Sequence, residues 1–297
     1  MGRLLACLGS LGLSVVVACS HDWDSLLPEA SSSDASSGGA PSGGGAPSGG
    51  GTGGSDSGSG GAGGSGGSGG AVGECPDVEM VLVQGGSVPY CIDRTEVRNQ
   101  QYAAFLASSN KPTQPSVCTW NTSYTPSGGW PATTDKADHP VTFVDFCDAL
   151  AFCRWSGKRL CGRIADGGGS APFPSYASAA ESEWFRACSS GGTRAYPYGG
   201  TYQQNACNGT DSQVGASVAV GSKPTCVGGY PTLMDMSGNV FEWEDSCLGQ
   251  TGATDDCRIR GGAFNNNSAN LRCDTDASTA RNQATITVGI RCCADIE

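Results

Sequence analysis

The number and placement of its cysteines constrain this chain more than any other feature. Of 16 in 297 residues, Cys7 and Cys19 fall in the first twenty positions, and the other 14, an even number, run from Cys75 to Cys293. Whether they are staples, metal ligands or reactive thiols depends on the compartment. The segment MGRLLACLGSLGLSVVVACS has one early charge, Arg3, and then an apolar run from Leu4 to Ala18. It reads as a secretory signal over residues 1–18, too short to span a bilayer comfortably. Val16-Val17-Ala18-Cys19 sets small and aliphatic residues just before a cysteine, the pattern of a bacterial lipobox, in which cleavage before Cys19 leaves a thiol to be acylated. About three acyl chains at roughly 0.8 kcal/mol per buried CH2 exceed the two-signal requirement for stable attachment, so the expectation is a lipid-anchored protein of the cell envelope, at the outer membrane or cell surface. In that setting 14 cysteines favour a disulfide-bonded domain over one with several buried free thiols.

From Ser31 to Gly73 the chain is nearly all Gly, Ser, Ala and Pro, with nothing apolar to anchor a core. Residues 19–74 are therefore expected to be a flexible tether with a reach on the order of 40 Å. Residues 75–297 have the size of one large domain and contain no second linker. A net charge of -11 with no Lys/Arg cluster excludes nucleic acid, because phosphate contact needs a basic footprint. His21 and His139 are the only histidines, which excludes a multi-histidine iron or zinc centre.

Periodicity within the domain is weak. VEMVLV, Val78 to Val83, and VPYCID, Val88 to Asp93, read as two short strands joined by a glycine turn. VRNQQYAAFLAS puts Val97, Tyr102, Phe105 and Leu106 at helical spacing, with Thr95 as the expected N-cap. DFCDALAFCRWSG does the same with Phe146, Leu150, Cys153 and Trp155, stopped by Gly157. A third helix is expected in ASAAESEWFRACSSGG. Roughly half of the domain has no regular pattern, and the cysteines are expected to hold its loops.

The order of motifs is more specific than any one of them. IDRTEVRNQQYAAFL, HPVTFVDFCDALAFCRWSGKRL, ESEWFRACSSGG, YPYGG, VGSKP, LMDMSGNVFEWEDS, RIRGGAF and GIRCC follow one another as the signatures of the formylglycine-generating enzymes, or sulfatase-modifying factors, do. The chain resembles that family from about Val78 to Cys292. The resemblance implies an α+β, C-type-lectin-like fold: a mixed, mostly antiparallel sheet with two packed helices, little other regular structure and many disulfides.

In active members two cysteines bind copper(I) between thiolates, and dioxygen then converts a cysteine of a bound sulfatase peptide into formylglycine. Soft thiolates suit copper(I) without histidine. Counted forward from Arg260-Gly261-Gly262, the copper positions fall on Asn266 and Leu271. Two structural disulfides that the resemblance implies, Cys153 with Cys292 and Cys188 with Cys273, allow a count from the other end. Back from Cys273 the copper positions fall on Ala263 and Ser268, so the loop is about three residues short and neither register offers a thiol. Cys273 as a displaced copper ligand would sacrifice its disulfide and still lack a partner. Copper(I) is thus not expected, and no catalytic residue is assigned.

Calcium is expected. MSGNVFEW resembles the family segment that wraps the ion, and it implies Asp235 and Glu242 side chains with the Gly238 and Val240 carbonyls as hard oxygen ligands. The alternative for Glu242 is pairing with an arginine. A second calcium position is implied at Asn208 and Gly209, with Asp211 as the acidic residue downstream across a variable loop.

KRLC and ESEW flank an insertion with Gly167-Gly168-Gly169 and PFPSYA, either a binding loop or a neutral one held by Cys161. The loop WNTSYTPSGGW, Trp120 to Trp130, is aromatic and polar like a recognition loop, or packs on the domain's own rim. Three functions remain: a divergent copper-dependent oxidase acting on protein cysteine, a non-catalytic module that binds a protein, peptide or glycan on a calcium-supported scaffold, and a structural envelope component. The absence of a thiol pair favours the second.

Overall fold

The first two apolar runs form strands β1, Met80–Val83, and β2, Tyr90–Asp93, antiparallel in the register Met80↔Asp93 to Val83↔Tyr90. This computed structural model describes residues 73–297. The signal sequence, Cys19 and nearly all of the tether lie outside the described residues. Helix α1, Asn99–Ala107, begins later than the spacing suggests. Its cap is Arg98, whose N–H donates to Gln101 Oε1 at 2.9 Å. Thr95 instead precedes an extended stretch, because Val97 exchanges backbone hydrogen bonds with Ile290 and Val141.

Helix α2, Phe146–Trp155, starts where its sequence says it should. Asp145 and Asp148 cap each other's backbone N–H groups at 2.9 and 3.1 Å, an arrangement that satisfies two otherwise orphaned donors. Strand β3, Arg159–Leu160, follows, and then α3, Glu183–Ser189, capped by the Ser182 hydroxyl on Phe185 N and ended by Ser190 and Gly191 at positive φ. This third helix is shorter than expected. Residues before Ser182 are held as turns, and Arg163 bridges to Ser182.

The remaining strands are β4, Phe241–Cys247, β5, Asp256–Arg260, β6, Ser278–Ala280, β7, Val288–Gly289, and β8, Cys292–Ala294. They complete two four-stranded sheets, ordered β1-β2-β8-β3 and β6-β5-β4-β7. Every pairing is antiparallel except β4 with β7. The α+β, disulfide-rich fold implied by the motif order is what these elements build, with two sheets where one was expected.

One core joins α1 and α2 to the second sheet through Tyr102, Phe105, Phe146, Phe152, Trp243 and Ile290. The other joins the first sheet to α3 through Val83, Ile92, Trp184, Leu233 and Met236. Strand β8 serves both, since neighbouring side chains on a strand point to opposite faces. Cys292 is bonded to Cys153 in the first core and Cys293 to Cys161 in the second. The other disulfides are Cys75–Cys91, Cys118–Cys147, Cys188–Cys273, Cys207–Cys226 and Cys247–Cys257. Together the bridges take up all cysteines among the described residues. No helix among them is long and apolar enough to cross a membrane.

Candidate functional site

Strand β5 delivers Arg260 to a turn that only glycines can make. Gly261 and Gly262 have φ of 86° and 77°, and a Cβ on Gly262 would lie 2.6 Å from Asn270 O. Positive φ and close backbone approach both exclude a side chain there. The chain then folds back on itself from Ala263 to Cys273. Asn266 Oδ1 accepts from Ala263 N at 2.8 Å, Asn267 Oδ1 accepts from Ala269 N at 3.1 Å, and Asn266 O accepts from Thr210 N at 2.9 Å. The asparagines are thus largely spent on turning this loop. Tyr196 donates its hydroxyl to Ser268 O, and Ser237 donates its own to Leu271 O.

The four positions implied for copper divide in two. Ala263 and Leu271 are buried at 0% and 1% exposure, and the Leu271 side chain fills the space against Gly209 and Gly262. Asn266 and Ser268 are half-buried. The loop ends at Cys273, bonded to Cys188 in α3.

The stretch from Asp235 to Trp243 runs beside this loop. Asn239, at φ 59°, accepts from Asn208 Nδ2 and Val218 N, and it donates to Glu96 Oε1 at 3.0 Å. Gly238, at φ 77°, lies where a Cβ would come within 2.5 Å of Asn208 O. The buried Glu242 carboxylate receives Arg291 Nη2 at 2.7 Å and Nε at 2.8 Å, and also Trp184 Nε1 at 2.6 Å. The arginine pairing left open in the sequence is therefore present. Asp235 is buried, with Oδ2 accepting from Gly221 N at 2.5 Å. Burial raises its pKa to about 6, and the charge of Glu242 pushes the same way.

Glu96, 1% exposed, has its pKa raised by burial and then by Asp235, and its Oε2 has no hydrogen-bond partner. Three buried carboxylates thus face one guanidinium, that of Arg291. Sequence reasoning missed Glu96, although it stands alone as an acid between Thr95 and Val97 within a quoted motif.

The second stretch is arranged differently. Asn208 Oδ1 and Gly209 O lie 2.8 and 2.7 Å from Ser212 Oγ, whose single proton can go to one of them at a time. Asp211 turns Oδ2 to Tyr202 Oη at 2.7 Å and Asn205 N at 3.0 Å. Beside it opens a cleft of about 400 Å³ lined by Tyr202, Gln204, Thr210, Asp211, Asn267 and Ser268.

The two candidate recognition loops are packed. Phe173 O and Tyr176 O of the insertion accept from Arg258 and Arg260, and the Arg258 guanidinium lies 3.9 Å from the Phe173 ring centre. In the Trp120–Trp130 loop, Tyr124 O accepts from Tyr102 Oη at 2.7 Å, and Trp130 meets the Tyr102 ring edge-on. Asn121, in a glycosylation triplet, is buried with its amide on Asp148 Oδ1 at 2.8 Å.

The sequence model of the sulfatase-modifying factor enzyme 1-like domain matches residues 69–296. A formylglycine-generating enzyme of Mycobacterium tuberculosis is 34% identical over 121 residues, covering 37% of this chain and 34% of that protein. One from Thermomonospora curvata is 26% identical over 197 residues, 52% of this chain and 59% of that protein. The chain thus matches less than two thirds of the length of either relative. The structure of PvdO from Pseudomonas aeruginosa is similar with a TM-score of 0.48 at 18% identity, over 70% of this chain and 81% of that one.

Proposed function

The chain belongs to the sulfatase-modifying factor enzyme 1-like family, and we propose that within it this domain is a non-catalytic binding module of the cell envelope, supported by calcium and anchored through lipid on Cys19. One observation carries the reading. All cysteines among the described residues are in disulfides, and the places implied for copper thiolates hold Asn266 and Leu271, or Ala263 and Ser268. Amide, hydroxyl and aliphatic side chains are poor ligands for a soft ion, so the residues do not suit copper(I). The disulfides accord with an extracytoplasmic setting. The test is to incubate the oxidised protein with copper(I), dioxygen and a Cys-x-Pro-x-Arg peptide and to follow aldehyde formation by mass spectrometry. No aldehyde is expected, and turnover would restore the oxidase reading.

Calcium is proposed at Asp235 with the Gly238 and Val240 carbonyls. The support is electrostatic: Glu96, Asp235 and Glu242 are buried together, with Glu96 Oε2 unpartnered, and a divalent cation offsets the excess negative charge that Arg291 leaves. Glu242 is engaged by Arg291 and Trp184, so Glu96 is the more available acid. In this proposal Asn208, Gly209 and Asp211, expected to be a second calcium position, serve as loop and cleft wall, Asn208 tied to Ala216 O and Asn239 and Asp211 Oδ2 to Tyr202 and Asn205. A ligand bound only by the native state raises stability by mass action. Calcium is therefore expected to raise Tm and a chelator to lower it, whereas an unmoved Tm would remove the ion from the account.

A further inference from the structure

The cleft beside the asparagine loop has a chemical character narrow enough to name its ligand. None of its six lining residues is Lys, Arg or His, and the chain carries a net charge of -11, which turns away phosphates and carboxylates. All six carry polar groups, so an apolar guest would strip water from them without replacing its hydrogen bonds.

The wall offers both donors and acceptors. Tyr202 gives its proton to Asp211, which leaves its oxygen lone pairs as acceptors. Asn267 Oδ1 is taken by Ala269 N, which leaves its NH2 as a donor. Gln204, Thr210 and Ser268 can do both. An ammonium or guanidinium only donates, so it would face the Asn267 amide with nothing to accept from it. Asp211 Oδ2 already holds two donors, while its Oδ1, buried and without a partner, takes one from the guest, so the wall asks for a group that donates to Asp211 and accepts from Asn267. A hydroxyl both gives and takes. The wall behind is stiffened by the rings of Tyr202 and Tyr196, 5.5 Å apart, and by the stacking of Tyr196 on Tyr198.

We propose that this cleft binds an uncharged, polyhydroxylated ligand, one or two sugar units of a neutral glycan. The proposal rests on the binding-module reading and deepens it. The test offers the full mature chain a panel of neutral oligosaccharides (maltotetraose, cellotetraose, chitotetraose and mannotetraose) and an arginine-containing peptide, with binding followed by saturation-transfer NMR and calorimetry. Gln204→Ala with Asn267→Ala removes two exposed side chains of the rim, and an unchanged Tm shows that the fold is kept. At least one oligosaccharide is expected to bind, and the double variant to weaken it about tenfold. Absence of binding across the sugars, or binding indifferent to the double variant, overturns the proposal. Peptide binding lost in the double variant overturns the sugar while keeping the module, whereas aldehyde formation on a cysteine peptide overturns the module itself.

Discussion

Neighbouring cysteines on β8 lead to a quantitative expectation about the staples. Cys153–Cys292 and Cys161–Cys293 are separated in sequence by 139 and 132 residues, and a lone bridge closing a loop of that size would stabilise by about 5 kcal/mol on the chain-entropy estimate. They are not alone. With Cys161–Cys293 in place, the unfolded chain already runs from residue 153 to 161, across the bridge, and from 293 to 292. Cys153–Cys292 then closes a loop of only ~10 residues, worth about 2.7 kcal/mol. The same holds with the roles exchanged. Removing both exposes the longer loop, shortened by Cys188–Cys273 to ~50 residues, so the second removal costs about 4 kcal/mol and the two together about 7. Replacing each pair by alanines, singly and in combination, and measuring equilibrium unfolding in guanidinium without reductant tests this. The expectation is that the combined loss exceeds the sum of the single losses by about 1.4 kcal/mol, the mark of coupled sites. A single pair that costs about 5 kcal/mol, or a combined loss no larger than the sum, would refute the shared-loop argument.

Three further expectations follow from buried charge and from calcium's proposed place. Burial, and for Asp148 also the charge of Asp145, raises these two carboxyls from 3.8 to about 8 and about 6. Between pH ~4 and ~8 the native state therefore holds more protons than the unfolded one, so this pair makes stability fall as pH rises. Asp148→Asn is expected to flatten that part of the stability profile in denaturant titrations, and an unchanged slope would contradict it. Arg291→Leu leaves Glu242 buried without its cation and is expected to cost about 3 to 5 kcal/mol, whereas Arg291→Leu with Glu242→Leu should recover much of the loss. A single variant within about 1 kcal/mol of the parent by chemical unfolding would show that Glu242 does not depend on Arg291 for its buried charge. Glu96→Gln is expected to reduce the calcium-dependent rise in Tm, and a rise of unchanged size would free Glu96 of that role.

Much of the fold could be read from local rules. Apolar residues at helical spacing from Phe146 to Trp155, with Gly157 as the stop, announced α2, and two short apolar runs around a glycine turn announced β1 and β2. The motif order supplied the rest, including a loop after Arg260-Gly261-Gly262 without thiols. What escaped the sequence depended on distant partners. Thr95 reads as an N-cap until Val97 is seen pairing with Ile290 and Val141. The insertion reads as a binding loop or a neutral one held by Cys161, and nothing in its sequence reports that Arg258 and Arg260 hold its carbonyls. Glu96 draws no reading at all, since nothing near it in sequence reports that Asp235 and Glu242 lie against it in space.

The central claim is that the cysteines serve as staples and none serves copper. A thiol count on the denatured, unreduced protein with Cys7 and Cys19 replaced by serine, paired with a competitive copper(I) titration of the native form, tests it directly. The account predicts no titratable thiol and no copper(I) retained against a chelating competitor. Two thiols per chain together with one tightly held copper(I) would contradict it.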